Sequence, residues 1–143
     1  MRPLEIAPKH LLDYLTELVE KLHRETGINA QFICDSEEVT LRSRVCREVG
    51  HIVQEALVNV RRHSGANNVV VSFTLRNSYW ELVIDDDGCG FPFAGRFTQA
   101  ELDAVRKGPL VIKERVRSIR GELTVESNPG RGARLEILIP QRS

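Results

Sequence analysis

Glu55, Asn59 and Arg62 recur at helical spacing in the run Gln54-Glu55-Ala56-Leu57-Val58-Asn59-Val60-Arg61-Arg62-His63. At 100° per residue the three fall within about 60° of one another, with His63 on the flank of the stripe. A carboxylate, a carboxamide and a guanidinium are out of place against an apolar core. Val49, Ile52, Val53, Ala56, Leu57 and Val60 form a second stripe beside the first, so the helix packs with one side and offers the other to something polar.

A further chemical signal lies in Asp85-Asp86-Asp87-Gly88-Cys89-Gly90-Phe91, where a strand should end. A carboxylate at a strand terminus, followed by two glycines spaced by one residue, lets a flat heterocycle approach bare backbone while the acid accepts a hydrogen bond from an exocyclic amine. Taken alone, the run reads equally as an acidic turn. It is not an EF-hand loop, because the ligand spacing and the terminal Glu are missing. Gly108 stands just ahead of a helix marked by Ile112, where backbone amides at a helix N-terminus could meet phosphate. By itself it also reads as an ordinary helix-start glycine.

Composition narrows the class. Lys plus Arg and Asp plus Glu both number 20 in 143 residues, so the formal net charge is zero and the overall balance recruits neither nucleic acid nor an anionic membrane. A local basic site for a phosphorylated small ligand is compatible with that balance. Three cysteines, Cys34, Cys46 and Cys89, are an odd number without CxxC spacing. They fit free thiols in a reducing compartment better than a disulfide frame or a zinc site, and point to the cytoplasm. No run approaches the roughly 18 apolar residues of a membrane span, and no signal-peptide stretch opens the chain. The expectation is one domain over 1–143 with no direct membrane contact of its own.

The elements that must position these groups follow from period. Leu11, Leu15, Leu18 and Leu22, widened by Leu12 and Val19, mark a helix that Thr26-Gly27 stops, and Asn29 to Cys34 reads as a strand. A second helix should start near Thr40 or Leu41, carry the polar stripe and end around Ser64-Gly65. Val69, Val71, Phe73 and Leu75, the turn Asn77-Ser78, then Trp80, Leu82 and Ile84 read as an antiparallel hairpin. Residues 88–108 lose clear periodicity, apart from a short helical turn over Ala100 to Val105, and read as a lid. Ile112, Val116 and Ile119 mark a third helix; Leu123 and Val125, then Leu135, Ile137 and Ile139, mark two strands joined through Asn128 to Gly132. The fold class expected is α+β, a two-layer sandwich with helices on one face of a mixed, mostly antiparallel sheet.

In this order the segments resemble the ATP-binding catalytic domain of bacterial sensor histidine kinases, in the superfamily shared with DNA gyrase and the heat-shock chaperone ATPases. Gln54 to His63 looks like that family's N box and Asp86 to Phe91 like its G1 box. Lys113-Glu114-Arg115-Val116, Gly121-Glu122-Leu123 and Ser127 to Gly132 look like the region after its G2 box. Thr26-Gly27-Ile28 before the first strand points to the subfamily paired with helix-turn-helix response regulators.

The resemblance implies a role for each residue. Asn59 would hold Mg²⁺ through its oxygen, and Glu55, as the catalytic carboxylate, would orient metal-bound water or polarise the nucleophile. Arg62 and His63 would face the phosphates of ATP, Asp86 would read the adenine amine, Gly88 and Gly90 would give the base room, and Gly108 would lie under the phosphates. Arg61 and Arg120 read as solvated, and His10, His23 and His51 as surface or helix-packing residues. Where the family usually carries Gly-x-Gly-Leu, this chain has Arg106-Lys107-Gly108-Pro109-Leu110, and Ala133 stands where a threonine is common. Arg106 or Lys107 could replace lost amide contacts with charge.

The γ-phosphoryl would go to a histidine on a dimerisation domain absent from this chain, with residues 1–7 as the tail of its hairpin and a cognate response regulator as the next partner. The isolated chain would be a monomer that does not phosphorylate itself. Two other classes compete: a nucleotide-binding or interaction module whose lid has decayed, and a serine kinase that restrains a sigma factor.

Overall fold

The computed structural model describes residues 6–141, apart from the side chains of His63 and Ser64. The expected hairpin tail at 1–7 therefore lies, as far as residue 5, outside the described residues.

Helix α1 (Leu11–Thr26) buries Leu11, Leu15, Val19 and Leu22. Val19 takes the interior place and Leu18 the edge, a small rotation of the expected stripe. Gly27 ends the helix at φ 77°, its amide bonding the His23 carbonyl at 2.8 Å, a left-handed cap that a residue with a Cβ adopts only under strain. Strand β1 (Asn29–Ile33) follows, and α2 (Ser43–Asn59) then crosses over to β2 (Asn68–Arg76), which pairs with β1 in parallel.

The expected hairpin forms from β2 and β3 (Tyr79–Asp86). On the core side Val71 pairs with Ile84 and Phe73 with Leu82, Val69 and Trp80 extend the same buried face, and Phe73 stacks on Trp80 with ring centroids 4.5 Å apart. Strand β4 (Gly95–Thr98) and helices α3 (Gln99–Ala104) and α4 (Leu110–Ser118) precede the closing strands β5 (Glu122–Asn128) and β6 (Gly132–Pro140). The sheet order is β1-β2-β3-β6-β5-β4, six strands with one parallel pair and four antiparallel pairs. The mixed, mostly antiparallel sheet expected from period is therefore present. No helix among the described residues is long and apolar enough to cross a membrane.

The segment over 88–108 is more ordered than its lack of period implied. Gly95–Thr98 pairs with β5 as the sheet's edge, and Phe97 packs against the core. Thr98 caps α3 reciprocally with Glu101, which seats Leu102 fully in the interior. A four-residue strand with a single inward apolar side chain is too short to show alternation.

Across the sheet face opposite the helices runs a charged ladder. Arg96 of β4 reaches over β5 to grip Glu136 of β6 at 2.7 and 3.1 Å, and Arg134 bonds both Glu136 and Asp85 of β3 at 2.9 Å. The Arg96 guanidinium, and after it Arg134, bring the Glu136 carboxyl down from 4.5 to about 2. A depressed carboxylate stabilises the fold above its unfolded value and loses that contribution as pH falls toward the folded one. The urea midpoint should therefore drop between pH 4.5 and about 2, and Glu136→Gln should flatten that part of the stability–pH curve. An unchanged curve in the variant would remove the ladder from the account.

Candidate functional site

A cavity of about 430 Å³ opens between the end of α2 and the adjoining ends of β3 and β6. Its floor is a product of strand register. Ile84 pairs with Leu135 and Asp86 with Ala133 across β3 and β6, and all four side chains line the space. Ala56, Asn59 and Val60 form the α2 wall, while Cys89, Gly90, Phe91, Pro92 and Pro109 close the other side. Among these apolar groups the charged or amide side chains are only Asp86 and Asn59, so a flat ligand would lie against hydrocarbon and be oriented by two polar points.

The three consecutive aspartates are sorted by strand alternation into separate tasks. Asp85 points to the ladder side and pairs with Arg134. Asp87 leaves the strand and accepts hydrogen bonds from the amides of Asn67 and Asn68 and from the Asn68 carboxamide at 2.8–2.9 Å, chiefly the last of which holds its carboxyl below 3.8. Asp86 faces the cavity, half-buried. Desolvation raises its pKa above 3.8, the neighbouring Asp85 and Asp87 add to that, and the buried Gly88 amide, bonded to Oδ1 at 2.9 Å, opposes it. Its remaining oxygen is the acceptor offered to a ligand.

The expected site residues divide. Asn59, Asp86 and Gly90 line the cavity; Gly88 supports Asp86 from beneath. Glu55 is half-buried one turn before Asn59 and does not line the cavity. Arg62 is exposed outside it, because α2 ends at Asn59 and Val60–Ser64 form a π turn that breaks the 100° register on which the stripe was drawn. The side chain of His63 lies outside the described residues. Arg61 is exposed and paired with Glu25 of α1, as a solvated residue should be.

The glycines serve the frame more than the ligand. A Cβ on Gly90 (φ 76°) would stand 2.9 Å from the Gly132 carbonyl and 3.0 Å from Ser127 Oγ, so its missing side chain lets the loop after β3 lie on the β5–β6 turn. A Cβ on Gly108 (φ 100°) would stand 3.1 Å from Leu102 Cδ1, and it is the next residue, Pro109, that lines the cavity and caps α4. Phe91, Pro92 and Pro109 were given no lining role in the sequence, since apolar residues in an aperiodic segment carry no signal of where they point. Among the described residues no cluster of three or more His, Cys, Asp or Glu could hold a metal by itself.

Residues 45–143 match the model of the histidine kinase-, DNA gyrase B- and HSP90-like ATPase family. The chain belongs to that family. It is 32% identical over 140 residues to the sensor histidine kinase LiaS of Bacillus subtilis, an alignment covering 98% of this chain and 37% of that protein. The ATP-binding domain of PrrB from Mycobacterium tuberculosis superposes with a TM-score of 0.67 at 20% identity, covering 98% of both chains. The histidine kinase domain of a blue-light-activated kinase from Erythrobacter litoralis gives 0.72 at 20% identity, over 92% of this chain and 61% of that one. These two likenesses establish the fold. The chain thus spans little more than a third of the curated kinase it matches.

Within this ATPase fold the tightest point is Gly132, where an added Cβ would come within 2.0 Å of the Asp86 carbonyl oxygen at a backbone φ of 130°. Gly130 (φ 82°) meets nothing within 4 Å. Gly132→Ala should therefore cost upward of about 3 kcal/mol or prevent folding, against about 1 kcal/mol for Gly130→Ala. Urea unfolding followed by circular dichroism checks the contrast, and equal costs would contradict the close approach.

Proposed function

We propose that this chain is the nucleotide-binding catalytic domain of a two-component sensor histidine kinase, holding Mg·ATP in the cavity between α2 and the β3–β6 floor. The carrying observation is the half-buried Asp86 facing an apolar cavity whose opposite wall presents Asn59. Adenine fits such a slot: its ring replaces water against Ile84, Leu135, Ala56 and Phe91, and its amine donates to the free Asp86 oxygen. Inosine and guanine nucleotides, with an oxygen at that edge, would set two acceptors against each other.

Mg²⁺ fits the donor set in the manner of a nucleotide-borne ion. The site offers one neutral oxygen from Asn59 and no acidic cage among the described residues, which suits a hard cation that keeps its waters and takes phosphate oxygens. When bound, it would neutralise charge on the β- and γ-phosphates. Phosphoryl transfer asks a protein mainly for positioning and charge. Asn59 would set the depth of the triphosphate, and Glu55, a turn earlier, would accept a hydrogen bond from water beside it. Arg62, on the widened turn, and Arg106 and Lys107, ahead of α4, would supply positive charge at the open end, with His63 the further residue proposed to meet the phosphates. The acceptor would be a histidine on a separate dimerisation domain, which would pass the phosphoryl to a response regulator.

Titration of Mg·ATP into the chain by calorimetry tests the reading. Binding should be seen with the native sequence, and Asn59→Ala should weaken it by at least about tenfold in the presence of Mg²⁺ while the far-ultraviolet circular dichroism stays unchanged. No heat and no thermal shift at millimolar Mg·ATP would leave a scaffold of the same fold instead.

A further inference from the structure

We infer that Ser127 is a positioning residue for the nucleotide pocket, an inference that rests on the ATP reading above. The inward positions of β5 are Leu123, Val125 and Ser127, so a hydroxyl replaces an apolar side chain in the alternation. With Lys113, it is one of two buried polar side chains among the described residues. Burying a hydroxyl is unfavourable unless it is bonded. Here it is bonded twice to one residue: Ser127 Oγ accepts the Phe91 N–H at 2.8 Å and donates to the Phe91 carbonyl at 3.2 Å.

Phe91 and its neighbours Cys89, Gly90 and Pro92 are the cavity's outer wall. That loop is also tied by the Gly88 amide on Asp86 and by the Gly130 amide on the Cys89 carbonyl at 2.8 Å. Ser127 is the side chain, on a different strand, that seats Phe91 itself. Its register partner on β6 is Ala133, which lines the floor, so one hydroxyl fixes the separation of wall and floor. The wall also continues outward through stacked Phe91 and Phe93, centroids 5.4 Å apart, to Phe97 on β4. Without the hydroxyl the Phe91 N–H and carbonyl lose their protein partner and the wall is no longer set at one distance from the base.

Three variants and three measurements decide the matter. Ser127→Ala should raise the Kd for Mg·ATP roughly tenfold and speed hydrogen exchange at the Phe91 amide by a similar factor. Ser127→Cys keeps the shape with a somewhat larger atom and a weaker donor, should fall between, and carries the test if the alanine variant does not fold. Ile137→Val, a buried β6 change away from the wall, should lower the melting temperature yet leave the Kd within about a factor of two. If native protein binds and the Ser127 variants bind equally well, or lose no more affinity than Ile137→Val, the inference is overturned while the ATP reading stands. If native protein binds no Mg·ATP, the reading itself fails and the inference goes with it.

Discussion

The site depends on the antiparallel register between β3 and β6. That pairing puts Ile84 beside Leu135 and Asp86 beside Ala133, so two strands provide both the apolar floor and the single acid within it. A slip of one residue would turn every side chain to the other face. Asp86 would then join the ladder side, and Asp85 or Asp87 would enter the cavity. The register is pinned at its tight end by Gly132, which lies against the Asp86 carbonyl where no side chain fits. It is pinned on the opposite face by Arg134 reaching to Asp85. Binding geometry and fold stability are in this way the same constraint.

Electrostatics follow from that alternation. Three adjacent carboxylates at a strand end repel one another, and the chain resolves the repulsion by sending them in different directions. Asp85 meets a guanidinium and Asp87 meets three N–H donors. Asp86 keeps one amide donor and loses water, which is why its pKa moves up whereas that of Asp87 moves down. A carboxylate with spare acceptor capacity in a place with little water is suited to an amine that arrives already desolvated on a flat ring.

Much of this was legible in the residues, and the failures have physical causes. The helices and the hairpin announced themselves because one face is apolar and the other is not, and a strand-end acid before Gly88 was visible, with Asp86 chosen among the three aspartates only by the family resemblance. Arg62 stands outside the cavity lining, a place the extrapolated α-helix through to Ser64 did not anticipate, because the backbone opens into a π turn after Asn59. Gly90 was credited with making room for a base, yet the Cβ it lacks would strike Gly132 and Ser127. That contact joins segments about forty residues apart, and no local pattern reports it. Ser127 was noted only as part of the run to Gly132, and its bond to Phe91 was invisible for the same reason, since a serine in a strand reads as a solvent-facing residue until its partner is known.

The departure at Arg106 to Leu110 also takes a different meaning in three dimensions. An arginine in place of a glycine before Gly108 would by itself stiffen or displace the turn, but the turn is fastened by other groups. The Lys107 amide bonds the Leu102 carbonyl at 2.9 Å, and the Lys107 carbonyl accepts from Lys113 Nζ at 2.9 Å. Lys113 is buried with its ammonium on Asp103 at 2.8 Å, and Asp103 also takes Arg117. A buried ammonium would be costly if unpaired, so Asp103 and the Lys107 carbonyl must stay where they are for α4 to pack. Arg106 adopts a positive φ of 55° in the position this imposes, a modest strain held by the surrounding bonds. Pro109 then starts α4 with its ring against the cavity, exchanging one amide donor for apolar surface. Under the proposed ATP reading, that exchange would favour stacking of the base over holding of the phosphates.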